Sequence, residues 1–167
     1  PTFLKMVLFQ GYYRNLGLTP ESEEEYKKVV TLTKEIGLNG IRMHQKLESE
    51  LFYYYCDILG IMTFLEIPSA YEFSSRTIED IHTTLMEALK QYSNHPSIVA
   101  YVPLNESWGV PHISTSKQEM NLASSLYYLA KAYDPNRLCI DNDGWEHVDT
   151  TDMMTIHNYE QEPQRLK

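Results

Sequence analysis

A single carboxylate, Glu106, stands where a buried strand is predicted to end. The segment before it, residues 98–102, is an apolar run with no polar alternation, which is typical of a parallel strand covered on both faces. Asn105 precedes the carboxylate and Trp108 follows it. A glutamate can give and take a proton, an amide can hydrogen-bond a hydroxyl, and an indole can stack on the apolar face of a sugar. These residue types favour acid/base chemistry on a carbohydrate at the end of a strand.

Strand and helix signals alternate along the chain, and strands are expected at residues 3–9, 41–43, 61–65, 98–102, 137–140 and 153–156. Apolar residues recur at helical spacing between them, and the first helix is expected to begin at Thr19 and Pro20. This alternation predicts an α/β fold with a parallel sheet and right-handed crossovers, either a barrel or a doubly wound sheet. A Gly-x-Gly-x-x-Gly motif does not follow the first strand, which weakens the nucleotide-binding alternative.

The segment from Asn94 to Gly109, with His-Pro-Ser-Ile before the strand and Asn-Glu-Ser-Trp-Gly after it, resembles the acid/base signature of glycoside hydrolase family 2. This family includes β-galactosidases, β-glucuronidases and β-mannosidases. Further stretches that resemble the family follow in its order at residues 37–44, 56–61, 66–69, 142–146 and 157–159. The resemblance covers nearly the whole chain. It implies a (β/α)8 TIM barrel, a retaining β-glycosidase that hydrolyses O-glycosidic bonds, and Glu106 as its general acid/base.

The barrel is expected to be incomplete. A full barrel has eight strands in about 250 residues, whereas the sequence predicts six strands in 167 residues, so residues 1–167 are read as a partial barrel domain without its C-terminal strands. In the family the nucleophile is a Glu after a later strand, and no residue here matches it. We therefore expect the fragment itself to be inactive and its open sheet edges to favour self-association.

Glu106 could supply one of the two carboxyl groups that retaining glycosidases place about 5 to 5.5 Å apart. It would protonate the leaving oxygen and then activate the water that resolves the glycosyl-enzyme intermediate. For this its pKa should lie near the working pH, which a partly apolar barrel mouth and a nearby second carboxylate would favour. Asn105 is expected to hydrogen-bond the 2-hydroxyl of the sugar.

Three polar residues lie at the ends of the second and third strands. Arg42 and His44 leave the second strand together, where they either contact the substrate or form a structural ion pair and hydrogen bond. Glu66, at the end of the third strand, could pair with Arg42 and serve only to fix it.

The remaining substrate-binding candidates lie in predicted loops. Trp108 and Trp145 either stack on a sugar or fill the core, and Asp143 is either a turn residue or a hydroxyl acceptor. His157 and Tyr159 stand two residues apart, so they can face the same side and bind hydroxyls or orient the nucleophile.

The composition limits the kinds of partner and cofactor that the chain is expected to bind. With 14 Lys and Arg against 23 Asp and Glu, the formal charge is -9, which argues against a nucleic-acid partner and leaves a carbohydrate substrate. The spacing of the histidines matches no zinc motif, so neither a metal nor another cofactor is expected. The two cysteines are too few for a disulfide scaffold, and no apolar run is long enough for a membrane span, which favours a cytoplasmic, bacterial-type protein. Two alternatives stay open: a non-catalytic carbohydrate-binding protein on the same barrel, and a related polysaccharide endo-hydrolase.

Overall fold

The computed structural model describes residues 2–162 and 164–165. The strands are β1 Met6–Phe9, β2 Gly40–Met43, β3 Met62–Glu66, β4 Ile98–Val102 and β5 Leu138–Cys139. The helices are α1 Glu23–Glu35, α2 Glu50–Leu59, α3 Ser75–Tyr92 and α4 Lys117–Tyr133. Each helix connects one strand to the next, which confirms the alternation predicted from the sequence.

The strands form one parallel sheet in the order β1-β2-β3-β4-β5. A doubly wound sheet reverses its strand order at a switch point, whereas here every new strand is added at the same edge. This is the arrangement of consecutive units in a barrel wall. The fold prediction is therefore confirmed as an incomplete (β/α)8 barrel, which is open rather than closed over the described residues.

The sixth predicted strand, residues 153–156, is wrong. This segment passes beside the end of β5 without forming a ladder, and the backbone N–H of Thr155 donates to the His147 ring at 2.9 Å. Met154 and Ile156 are 78% and 83% exposed. The segment is mostly apolar, but a strand also needs backbone partners along its length, and at Thr155 a histidine ring accepts the backbone N–H instead.

The helices pack on the outer face of the sheet and stabilise this part of the barrel wall. The Ser49 side chain caps α2 by accepting from Leu51 N–H, and Gly60 ends it with φ 71°, a conformation that glycine adopts without strain. Between these ends Phe52 and Tyr53 are fully buried, and removing a buried ring of this size costs about 3 to 5 kcal/mol. The opposite face of the sheet carries a smaller apolar cluster: Phe64, Ala100, Val102 and Ile140.

Cys56 and Cys139 are free and buried. Burial raises the pKa of Cys139 to about 12 and also raises the pKa of Cys56, so both are protonated at neutral pH. No helix in the described part of the chain is long and apolar enough to cross a membrane.

Candidate active site

The polar residues selected from the sequence gather where the parallel strands end. Arg42 lies on β2, Glu66 ends β3, and the segment after β4 continues beside the segment after β5 through a parallel bridge between Asn105 and Asp143. In this bridge Glu106 N–H donates to the Asp143 carbonyl at 2.9 Å. Because the carboxyl ends of parallel strands share one face, side chains far apart in sequence meet here.

The backbone at Glu106 is unusual. Glu106 and Ser107 have φ of 49° and 59°, a left-handed conformation that costs about 1 to 2 kcal/mol for each non-glycine residue. The Asn142 side chain holds it by accepting from Ser107 N–H at 2.9 Å. A Cβ on Gly144 would stand 3.3 Å from the Glu106 Cα, so glycine allows the two loops to approach. The surrounding contacts thus maintain a strained backbone at the candidate acid/base, a feature that clusters at functional sites.

The Glu106 carboxylate accepts two hydrogen bonds on the same oxygen. His157 donates from Nδ1 at 2.6 Å, and the Tyr159 hydroxyl donates as well. Burial acts to raise the pKa of Glu106, but these hydrogen bonds and the positive charges of His157 and Arg42 together lower the pKa below its ordinary value. The sequence predicts a pKa near the working pH, whereas the pKa of Glu106 is lowered because the groups that touch the carboxylate are donors.

His157 has a defined place in this arrangement. A carboxylate only accepts, so the proton in the contact with Glu106 is on Nδ1. On the other side of the ring, Nε2 lies 3.4 Å from Arg42 Nη1 and 3.3 Å from Asp143 Oδ1. The neutral ring can accept from the guanidinium and the charged ring can donate to the carboxylate. His157 therefore keeps a partner on Nε2 in both protonation states.

Arg42 is the centre of a buried ion-pair network. Its guanidinium lies 2.7 Å from the Glu66 carboxylate and 2.8 Å from that of Asp143, and it also donates to the Asn105 side-chain carbonyl. The side chains of Arg42 and Glu66 are 12% and 0% exposed. Of the two alternatives left open for Arg42, the structural ion pair is formed, and it fixes Asn105 and Asp143 at the base of the site.

Two candidate substrate-binding residues, Asn105 and His44, each have a buried nitrogen atom without a hydrogen-bond partner in the described part of the chain. Asn105 is fully buried, and its side-chain N–H2 group has no partner although its carbonyl accepts from Arg42. His44 Nδ1 stands 3.4 Å from Glu66 but is not aligned to hydrogen-bond it. A buried polar atom without a partner costs about 1 to 3 kcal/mol, and neighbouring atoms cover both nitrogens in this structure.

A cleft of about 360 Å³ opens over Glu106, and Trp108 and Trp145 line it. The two indoles are 46% and 51% exposed. The rings of Trp108 and Tyr71 pack edge to face with 5.9 Å between their centroids, and those of Trp145 and His157 do so at 6.2 Å. Both rings are thus held by neighbours with much of their surface open, the arrangement that stacking on a ligand requires.

Tyr71 and Glu146 also line this cleft, although neither is among the site residues predicted from the sequence. The Glu146 carboxylate accepts from the Ser107 and Ser114 hydroxyls at 2.6 and 2.8 Å, and these hydrogen bonds lower its pKa. Its position next to Trp145 was a usable signal. Tyr71 lies in the loop after β3, where its type and spacing give no indication of its role. Among the described residues, no group of three or more His, Cys, Asp or Glu side chains could hold a metal ion.

Comparison with curated proteins finds relatives over most of the chain. It is 28% identical over 142 residues to a putative beta-glucuronidase of Formosa agariphila, covering 80% of this chain and 17% of the relative. It is 30% identical over 129 residues to a beta-glucuronidase of Bacteroides fragilis, covering 72% and 17%. The chain thus spans about one sixth of the length of the curated relatives it matches. No protein-family model matches the chain.

Solved structures share the fold. A putative beta-galactosidase from Bacteroides fragilis superposes with a TM-score of 0.75 at 25% identity, over 92% of this chain and 23% of the other. A GH2 beta-galacturonidase from Eisenbergiella tayi superposes with a TM-score of 0.74 at 23% identity, over 84% and 25%.

Proposed function

From its resemblance to the catalytic barrel of glycoside hydrolase family 2, which the curated relatives bear out, we propose that this chain is part of a retaining β-glycosidase. The relatives are glycoside hydrolases, and the finer assignment rests on one observation. Glu106 stands after β4 in a cleft between two half-exposed indoles, with its carboxylate hydrogen-bonded by His157 and Tyr159. Residues 1–167 then form a partial barrel domain in which Glu106 is the general acid/base.

The lowered pKa of Glu106 suits one half of this role directly. An ionised carboxylate can take a proton from the water that resolves a glycosyl-enzyme intermediate. To act as the acid it must first be protonated, and an anionic nucleophile nearby would raise its pKa. Tyr159 is 72% exposed, so its hydroxyl is free to turn from Glu106 toward such a nucleophile. That movement would remove one of the two donors that keep Glu106 charged.

The other site residues bind and position the sugar in this proposal. Arg42 holds the side-chain carbonyl of Asn105, and the N–H2 group of Asn105 donates to the 2-hydroxyl once the atoms that cover it move aside. Trp108 and Trp145 stack on the apolar face of the sugar. With only one of the two carboxyl groups that retention requires, the isolated chain is expected to be inactive.

The test uses the longer protein that contains this chain and a panel of aryl β-glycosides. Replacing Glu106 by Gln should lower turnover by about 10²- to 10⁴-fold, the usual contribution of a general acid/base. Azide, a nucleophile that needs no general base, should restore turnover of substrates with good leaving groups and give the β-glycosyl azide.

Glu146→Gln is the matched control because it removes the charge of another carboxylate in the same cleft. Its turnover should not depend on azide. Unchanged turnover in Glu106→Gln would contradict the proposed role. Sugar binding by the unaltered protein with no turnover on any substrate would favour the carbohydrate-binding alternative.

A further inference from the structure

A second cavity lies between α3 and α4, outside the cleft that holds Glu106. This groove has a volume of about 530 Å³, larger than the cleft at about 360 Å³. His82 joins the two helices beside it, because its Nδ1 donates to the Ile78 carbonyl at 2.8 Å and its Nε2 lies 2.8 Å from the Ser125 hydroxyl. The groove is therefore built on two regular helices tied together by a side chain, which makes it a defined surface.

The chemistry of the groove is uncharged and mixed. Its apolar wall is formed by Phe73, Ile78 and Leu122, while Gln118 and Asn121 offer exposed amides. None of the described residues that line it is Asp, Glu, Lys or Arg. Each amide can donate and accept hydrogen bonds, and the apolar side chains beside it can cover an apolar surface of the ligand. A ligand that matches both features has hydroxyl groups, apolar C–H faces and no charge, which describes a neutral sugar ring.

The groove and the cleft are lined by neighbouring parts of the same two chain segments. Tyr71 lines the cleft and Phe73 lines the groove, and two extended residues span at most about 7 Å. The segment that joins β4 to α4 likewise contributes Pro111 to the cleft, and Gln118 at the start of α4 reaches the groove. In a βα unit the helix begins at the face where the strand ends. The starts of α3 and α4, which line the groove, therefore lie at the end of the barrel wall that carries Glu106.

We propose that this groove binds further sugar units of a neutral oligosaccharide whose glycosidic bond is held at Glu106. This inference rests on the proposed glycosidase function and adds a substrate class to it. A ligand that occupies both cavities must be longer than one sugar, so the preferred substrate is an oligosaccharide rather than a small glycoside. Because the lining carries no charge, the groove does not favour an acidic oligosaccharide.

Calorimetric titration of the 167-residue chain with a neutral β-linked hexasaccharide tests the groove without requiring activity. Asn121→Ala and Gln118→Ala should each weaken binding about five- to tenfold, the loss expected when the hydrogen bonds of one amide are removed. Both residues are exposed, so neither change should disturb folding. Asn136→Ala removes an equally exposed amide beyond the other end of α4 and should leave the affinity unchanged.

Equal affinity in Asn121→Ala, Gln118→Ala and the unaltered chain would overturn the proposal. So would an acidic hexasaccharide that binds as tightly as the neutral one. Binding that depends on Asn121 and persists in Glu106→Gln supports the groove regardless of turnover in the longer protein. The binding measurements therefore test the proposed groove separately from the turnover measurements that test the glycosidase assignment.

Discussion

His157 is expected to hold Glu106 in its charged form, and replacing it by Phe tests this directly. Phe keeps a ring of similar size beside Trp145 but removes the donor that lies 2.6 Å from the carboxylate. Hydrogen bonds to charged groups contribute about 1.5 to 3 kcal/mol. Since about 1.4 kcal/mol corresponds to a tenfold change in proton affinity, the variant should bind a proton at Glu106 about ten- to a hundredfold more tightly.

The upper part of that range applies only if solvent does not replace the lost donor. The side chains of His157 and Glu106 are 18% and 16% exposed, so water has limited access to this contact. Tyr159 is 72% exposed, and water can take the place of its hydroxyl. Tyr159→Phe should therefore raise the pKa of Glu106 in the same direction but by less.

The measurement is the carboxyl ¹³C chemical shift of Glu106 as a function of pH, assigned by its absence in Glu106→Gln. A carboxyl group with a lowered folded-state pKa stabilises the fold above its unfolded pKa, and this stability is lost as pH falls through the folded pKa. His157→Phe should thus lose less stability than the unaltered chain on acidification. If Glu106 titrates at the same pH in both proteins, the contact does not favour the charged form and the reasoning is refuted.

Three further outcomes are expected. Glu66→Gln breaks a buried ion pair and should lower the free energy of unfolding by about 3 to 5 kcal/mol in urea titrations. Asp80→Asn, in an exposed pair, should leave this free energy nearly unchanged. Equal losses in the two variants would contradict a stabilising role of the buried ion pairs. Burial opposes protonation of His147, but its contacts, first among them the hydrogen bond to Asp141, raise the pKa of His147 above its ordinary value. The stability that protonated His147 adds is fully present below pH ~6.5 and is lost as pH rises through the folded-state pKa. His147→Gln should therefore destabilise the fold more at pH 6 than at pH 9. The open sheet edges should make the chain self-associate, and Leu8→Lys on β1, a charge that blunts an edge strand, should reduce the mass seen by light scattering; a monodisperse monomer in the unaltered chain would count against this.

The elements could be predicted where a local pattern decides the structure. The apolar run at residues 98–102 became β4 residue for residue, because a strand covered on both faces needs apolar side chains at every position. The start of α1 could not be predicted in this way. Thr19 and Pro20 are suitable for a helix start, yet α1 begins at Glu23. The preceding loop is held from a distance, since Lys46 donates to the Leu18 carbonyl at 2.6 Å, a contact that no local pattern contains.

The candidate site shows the same division. Arg42 and Glu66 could be selected because each leaves a predicted parallel strand, and the topology brings such residues to one face. Asp143 could be selected in a predicted loop, where it is either a turn residue or a hydroxyl acceptor. The sequence does not tell which of them pair. It left open whether Arg42 contacts the substrate or an acidic side chain; the structure shows the ion pairs with Glu66 and Asp143, and a substrate contact of Arg42 stays a prediction.

The charge of Glu106 depends on residues that are distant in the sequence, so it could not be predicted from the local pattern. An apolar barrel mouth raises the pKa of a carboxyl group and nearby donors lower it, and residue types alone do not say which effect dominates. The decisive donors, His157 and Tyr159, lie 51 and 53 residues further along the chain. They reach Glu106 because the segment after β5 crosses the end of β4. The proposed acid/base cycle therefore requires a residue or ligand that shifts these donors or adds negative charge near Glu106, and the lowered pKa is a property of the present contacts rather than of the motif.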